Sequence, residues 1–396
     1  MAQHETAGLT RLDAAAETKE QSSAIAGLSA TRHTDRALIC FSHLRWHFVF
    51  QRPQHLMTRF ARTMRVFFVE EPVFGGTDKP VLEQHPTDGG VTILVARLPH
   101  GLDEVRQIEA QRALIDGFVA AQRIVDLILW YYTPMMLPFS AHLTASRIIY
   151  DCMDELSAFR GAPPALLERE EELFRRADRV FTGGYSLHEA KRHRHPSVHA
   201  FPSSVDVAHF RKAREALPDP PDQAPIPHPR IGHYAVLDER LDIDLLTALA
   251  EARPEWHFVL VGPVVKIDPA ALPRRSNIHY LGGKTYDELP AYLAGWDVAF
   301  MPFALNESTR FISPTKTPEY LAAGKPVVST PITDVIRTYG DTGLARIAKT
   351  PDEFIAAIEA ALRGCDMRQA WLMEVDRLLA DMSWDKTWAQ MKELMA

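Results

Sequence analysis

Cysteine is nearly absent from this chain of 396 residues: Cys40, Cys152 and Cys365 are the only three, and none belongs to a CxxC pair. A disulfide scaffold is excluded, and a reducing compartment fits the count. Long apolar runs are absent too. None reaches the ~20 residues that cross a bilayer, and no basic start leads into an apolar core of the secretory kind. A cytoplasmic protein is expected, with peripheral contact at the inner membrane surface left open. Positive charge is not in excess: the formal net charge is −7, so nucleic acid is not an expected partner. There is no HExxH, no DxD-like cluster that commits a metal and no GxGxxG after the first apolar strand. Neither a resident metal nor a dinucleotide cofactor is therefore expected. The "DID" at 242–244 opens a helix, and its carboxylates are read as serving that helix start.

What is present suits two α/β domains. Hydrophobic residues make up 46% and charged residues 24%, enough for sizeable cores at a length that suggests two domains. Residues 1–35, rich in Ala, Thr, Ser, Glu and Gln, read as a flexible tail. Over 36–214 apolar strands alternate with helical patterns: "RALICFSHL", "RVFFVEEPV", "VTILVARLP", "VDLILWYYTP" and "RIIYDCMDE" are the strands. Six prolines in 215–230 read as a linker. The alternation restarts over 231–383, and 384–396 forms a helix suited to packing back on the first domain. Such alternation with near-continuous apolar strands predicts two doubly wound parallel sheets. Their ligands bind where strands end, which places the site in a cleft between the domains.

Several short stretches carry chemistry. In "PTKTPEYLAAGKPVV" (314–328), Thr315, Lys316 and Glu319 stand at a helix entry. Unpaired N–H groups and the helix dipole favour an anion there. Lys316 adds a cation suited to a diphosphate, and Glu319 is placed to accept from both hydroxyls of a ribose. The alternative is a solvated lysine and a glutamate serving the dipole. Gly262, ending "HFVLVG", would let a base approach the backbone. "SHLRWHFVFQRPQHL" (42–56) crowds His43, Arg45, Trp46, His47, Arg52 and His55 together. One reading turns His43 or Arg52 to a diphosphate and stacks Trp46 on a sugar; the other packs Trp46, His47 and His55 locally. "YDCMDE" sets Asp151, Asp154 and Glu155 just past a strand. A carboxylate there would orient a hydroxyl or take its proton, or else Asp154 caps a helix. Ser186 with Glu189, and Thr285 with Glu288, have the spacing of capping boxes.

"PTKTPEYLAAGKPVVST", with "VGP" (261–263), "LG" (281–282) and "DVAFMPF" (297–303), is similar to the donor half of GT-B glycosyltransferases. It resembles most the family-4-like group (glycosyl transferase group 1) that builds bacterial surface polysaccharides. "SHLRWHFVFQRPQHL" and "YDCMDE" resemble its teichuronic-acid-type members. The resemblance covers roughly residues 36–392 and implies a GT-B fold. It implies transfer of a sugar from a nucleotide-diphosphate sugar, UDP-sugar favoured, to a saccharide or lipid-linked acceptor, with retention and without a metal. Glu319 matches the ribose-holding second glutamate of the family's paired-glutamate motif. Eight positions earlier, where the first is expected, stands Phe311. Glu307, or the backbone around Ser313, would replace it. Arg240 matches one member of a basic pair that lacks its lysine here, so Lys316 becomes the second phosphate ligand, with Arg310 a further candidate. Asp154, His43 and Arg52 are the expected catalytic groups, and Arg45, Trp46 and Asp151 the expected acceptor-side groups. A nucleotide-sugar epimerase and a non-catalytic sugar-binding protein fit the same fold.

Overall fold

The computed structural model describes residues 36–364 and 368–396. The tail expected over 1–35 and Cys365 lie outside the described residues. The first sheet contains β1 (Arg36–Phe41), β2 (Arg65–Phe74), β3 (Val81–Pro86), β4 (Val91–Leu98), β5 (Asp126–Tyr131), β6 (Arg147–Cys152), β7 (Arg179–Thr182) and β8 (Val198–Ala200). Its order is β3-β4-β2-β1-β5-β6-β7-β8, parallel throughout except for β3 against β4. The second sheet contains β9 (Arg230–Tyr234), β10 (His257–Val261), β11 (Ile278–Tyr280), β12 (Val298–Met301), β13 (Val327–Ser329) and β14 (Ala345–Ile347). It is wholly parallel, in the order β11-β10-β9-β12-β13-β14. Both sheets reverse direction beside their first strand, at β1 between β2 and β5 and at β9 between β10 and β12. Loops diverge at such points and leave a crevice.

Each sheet is buried on both faces, which is why its central strands read as unbroken apolar runs. Leu38, Cys40, Phe68 and Trp130 pack on one face of the first sheet; Ile39, Phe41, Leu129 and Tyr150 pack on the other. The Arg52–Phe60 helix starts with Pro53 in its first turn, and Gln51 and Gln54 form a reciprocal capping box. No helix among the described residues is long and apolar enough to cross a membrane.

The chain passes between the domains earlier than the sequence suggests. The Val207–Arg211 helix, expected within 36–214, buries Phe210 in the core of the second domain. The proline-rich segment is anchored, not loose. Ile226 joins that same core, Gln223 accepts from Trp296 Nε1 at 2.9 Å, and Arg230 pairs with Asp219 at 2.7 Å. At the other end, the Trp384–Leu394 helix returns to the first domain, placing Trp384 and Met391 in its core. Trp384 stacks on His55 with ring centres 4.6 Å apart, and Asp385 pairs with both Arg59 and Arg62. The sequence reading did not anticipate β3 or β8. The first is a largely exposed antiparallel edge with no apolar run, and the second is three half-buried residues.

Candidate active site

Loops leaving β1, β6, β9, β10 and β11 meet the start of the Lys316–Ala322 helix around a cavity of about 1500 Å³ between the domains. Ordinary small-molecule pockets measure ~300–1,000 Å³, so two substrates have room here. A smaller inner pocket shares Asp154, Arg240, Thr315 and Lys316 with it and adds Arg52, His233 and Ser313.

On the second domain, Lys316 and Glu319 both line the cavity, one helical turn apart. Lys316 forms no ion pair among the described residues. Burial lowers its pKa, while Glu319 pulls it back up. Glu319 is 6% exposed and accepts a hydrogen bond on Oε2 from the Tyr234 hydroxyl. Burial pushes its carboxyl up to about 7, opposed by that bond and by the charge of Lys316. Arg240 chelates Asp238 at 2.6 and 2.9 Å and lies 5.5 Å from the Phe159 ring centre. Lys266 approaches the same ring to 5.4 Å, so one aromatic side chain of the first domain meets two cations of the second.

Gly262 also lines the cavity, but its glycine is demanded elsewhere. At φ 142° a Cβ would overlap the carbonyl of Ala235, and the Gly262 N–H donates to Gly282 O at 2.8 Å. Close approach of two loops is the requirement.

On the first domain, Asp154 faces the cavity and caps no helix; its carboxylate makes no hydrogen bond or ion pair among the described residues. Burial raises its pKa to about 6, against the attraction of Arg240, Arg52 and Lys316. His43 borders the same space with a buried Nδ1 that has no partner. Its pKa falls to about 4 through burial and the charge of Lys266, so the ring is neutral at pH 7.

Other expected site residues have different work. Arg52 and Asp151 form a buried bidentate pair at 2.7 and 3.0 Å, and Arg52 Nη1 also donates to Phe201 O at 2.7 Å. Their charges are spent on each other; Arg52 lines the inner pocket, and Asp151 lies fully buried behind it. Arg45 pairs with Glu70 at 2.9 Å, and Trp46 packs edge-on against Phe68 in the core while also bordering the cavity. Arg310 and Glu307 form an exposed pair with each other at 3.6 Å, and neither lines the cavity. Phe311 packs against the core of the first domain, and the Ser313 carbonyl accepts from Ser203 Oγ at 2.6 Å. The 307–313 loop is thus a domain contact in this conformation. Thr315 sits at the helix entry on the cavity wall and hydrogen-bonds Glu319.

Sequence reasoning missed Tyr234, Lys266 and Phe159. Tyr234 ends an apolar strand and reads as core. Tyr286 lies inside the Thr285–Glu288 capping box, which is present. It also stacks on His209 at 4.3 Å and meets Phe50 of the first domain at 4.6 Å.

Comparison with known proteins bears on the fold and the family. Residues 231–364 match the family described as glycosyl transferases group 1. TuaH of Bacillus subtilis (strain 168), a protein assigned as a teichuronic acid biosynthesis glycosyltransferase, is 26% identical over 254 residues. That match covers 59% of this chain and 63% of TuaH, so the chain spans less than two thirds of its curated relative. Among solved structures, a sucrose-phosphate synthase from Thermosynechococcus elongatus superposes with a TM-score of 0.67 at 14% identity, over 91% of this chain and 98% of that one. An E. coli trehalose-6-phosphate protein bound with UDP-2-fluoro glucose gives the same score and identity, over 91% and 99%. The chain thus has a GT-B fold, and residues 231–364 of its second domain are similar to the glycosyl transferases group 1 family.

Proposed function

We propose that the protein is a glycosyltransferase that moves a sugar from a nucleoside-diphosphate sugar to a saccharide or lipid-linked hydroxyl acceptor in surface-polysaccharide synthesis. The observation that carries this reading is Lys316, a cation with no ion-pair partner among the described residues, one turn from the buried carboxylate Glu319 on the cavity wall. A diphosphate supplies the missing counter-charge, and a ribose supplies hydroxyls for the carboxylate. In the reaction the bond from sugar C1 to the β-phosphate oxygen breaks and the acceptor oxygen bonds to C1. The diphosphate departs with added negative charge, which Lys316 and Arg240 offset in a partly dry site. Asp154, ionised above a pKa of about 6, accepts the hydroxyl proton. Neutral His43 hydrogen-bonds the acceptor. In this reading side chains stabilise the leaving group, and no resident cofactor is needed. Family resemblance supports retention of configuration.

A uridine nucleotide is the first donor to test, because the E. coli relative holds a UDP-sugar and a Burkholderia vietnamiensis relative of the same fold is UDP-forming. The assignment of TuaH supports a polysaccharide product. The test is a thermal-shift panel of UDP, GDP, dTDP and ADP, followed by nucleotide release from the matching sugars. A ligand that binds only the native state must raise the melting temperature. One nucleotide is expected to do so below millimolar concentration; no shift with any of the four overturns the reading.

A further inference from the structure

The Tyr185–Lys191 helix of the first domain has no cap of its own. Gly184 at its N-cap carries no side chain, and Ser186, whose spacing to Glu189 suggests a capping box, keeps a buried Oγ with no hydrogen-bond partner. The helix start is closed from the other domain. Asp334, 3% exposed, accepts from the Tyr185 N–H at 2.8 Å through Oδ2 and from the Ser186 N–H at 2.9 Å through Oδ1. Glycine at 184 makes this possible, since a Cβ there would overlap Oδ2 of Asp334. Beside this contact, Arg337 pairs with Glu189 at 2.9 Å and Ser203 bonds Ser313 O.

The far end of the same helix reaches the proposed base. Lys191, 4% exposed, binds Glu155 at 2.7 Å and Glu170 at 3.0 Å. Glu155 is the chain neighbour of Asp154. Seven residues of helix, about 10 Å of rise, therefore join a carboxylate of the second domain to the loop that carries Asp154. Asp334 itself follows β13 within the same domain as Lys316 and Glu319.

We propose that Asp334 is a positioning residue: by capping this helix across the cleft it holds the domains together and fixes the Glu155-anchored loop so that Asp154 faces Lys316 and Arg240. The inference rests on the glycosyl-transfer reading for the role of Asp154, but not for the contact. A carboxylate that accepts two helix N–H groups makes charge-assisted bonds. Parting the domains returns both sides to water, so the cap biases the equilibrium toward closure.

Asp334→Ala, Asp334→Asn and Gly184→Ala in the full chain test this. Small-angle scattering reads domain separation, and hydrogen exchange reads the loop through the amides of Leu156 and Ala158, which bond Asp154 O and Glu155 O. Asp334→Ala and Gly184→Ala are each expected to enlarge the radius of gyration. Exchange at those two amides should quicken on the order of tenfold, while β10 and β12 exchange as in wild type. Asp334→Asn, which keeps one acceptor, should fall between. Joining Asp334→Ala to Gly184→Ala should add nothing, because both remove one contact. Unchanged scattering in a folded Asp334→Ala protein, faster exchange spread evenly over the chain, or additive variants overturn the proposal. Titrating the same samples with UDP, GDP, dTDP and ADP separates the two ideas: a wild type that binds none of the four refutes the donor reading and leaves the scattering comparison intact.

Discussion

The Tyr234 hydroxyl donates to Oε2 of Glu319, joining the end of the strand at the second domain's switch point to the helix that begins at Lys316. The expected ribose carboxylate is thus held from behind by a phenol buried with it. Burial raises Glu319 to about 7, against ~4.3 in an unfolded chain. Between those values the native state keeps a proton the unfolded chain has lost, so this group costs stability as pH rises from about 4.3 to 7.

Glu319→Gln removes that cost. Urea unfolding should show the variant more stable than wild type at pH 8, on the order of 3–4 kcal/mol, with little difference at pH 4. Its affinity for the donor nucleotide should nevertheless fall by about tenfold, the worth of a lost charge-assisted bond.

Asp154 gives a pH-dependent rate. A base with a pKa of about 6 makes turnover rise as pH climbs through 6 and level off above it. Asp154→Asn should lower turnover by about 10²–10⁴-fold and abolish that acid limb. Nucleotide affinity should change little.

Arg52 and Asp151 should behave as a structural pair. Removing one partner strands the other charge in the core, at a cost of about 3–5 kcal/mol. Arg52→Met and Asp151→Leu should each lower the urea midpoint sharply, and the double variant should lose less than either single one. A double-variant loss equal to the sum would show that the pairing contributes nothing.

Phe311 stands where a glutamate is expected from the family and packs against the first domain's core. Phe311→Glu should therefore lower the melting temperature through lost apolar contact, about 1–3 kcal/mol. No gain in nucleotide release is expected. A rise in turnover would instead place position 311 on the donor.

What was legible in the sequence was local. Lys316 and Glu319 announce themselves because both lie in one helix entry, and the two sheets follow from apolar runs of strand length. Pairings over long chain separations left no such mark. Arg52 reaches Asp151 across 99 positions, and Asp334 reaches the Tyr185 amide across 149. Both look like free charges until the fold brings their partners to them. The domain boundary was misplaced for a related reason: Phe210 has the same apolar character whichever core receives it, so only packing decides between them.

Lys316 is the proposed holder of the donor diphosphate. Calorimetric titration of the best-binding nucleotide into wild type, Lys316→Ala and Arg310→Ala isolates that role, since Arg310 is an exposed cation outside the cavity. Affinity at least tenfold weaker for Lys316→Ala and unchanged for Arg310→Ala is the expected result. Equal affinity for Lys316→Ala and wild type would contradict the account.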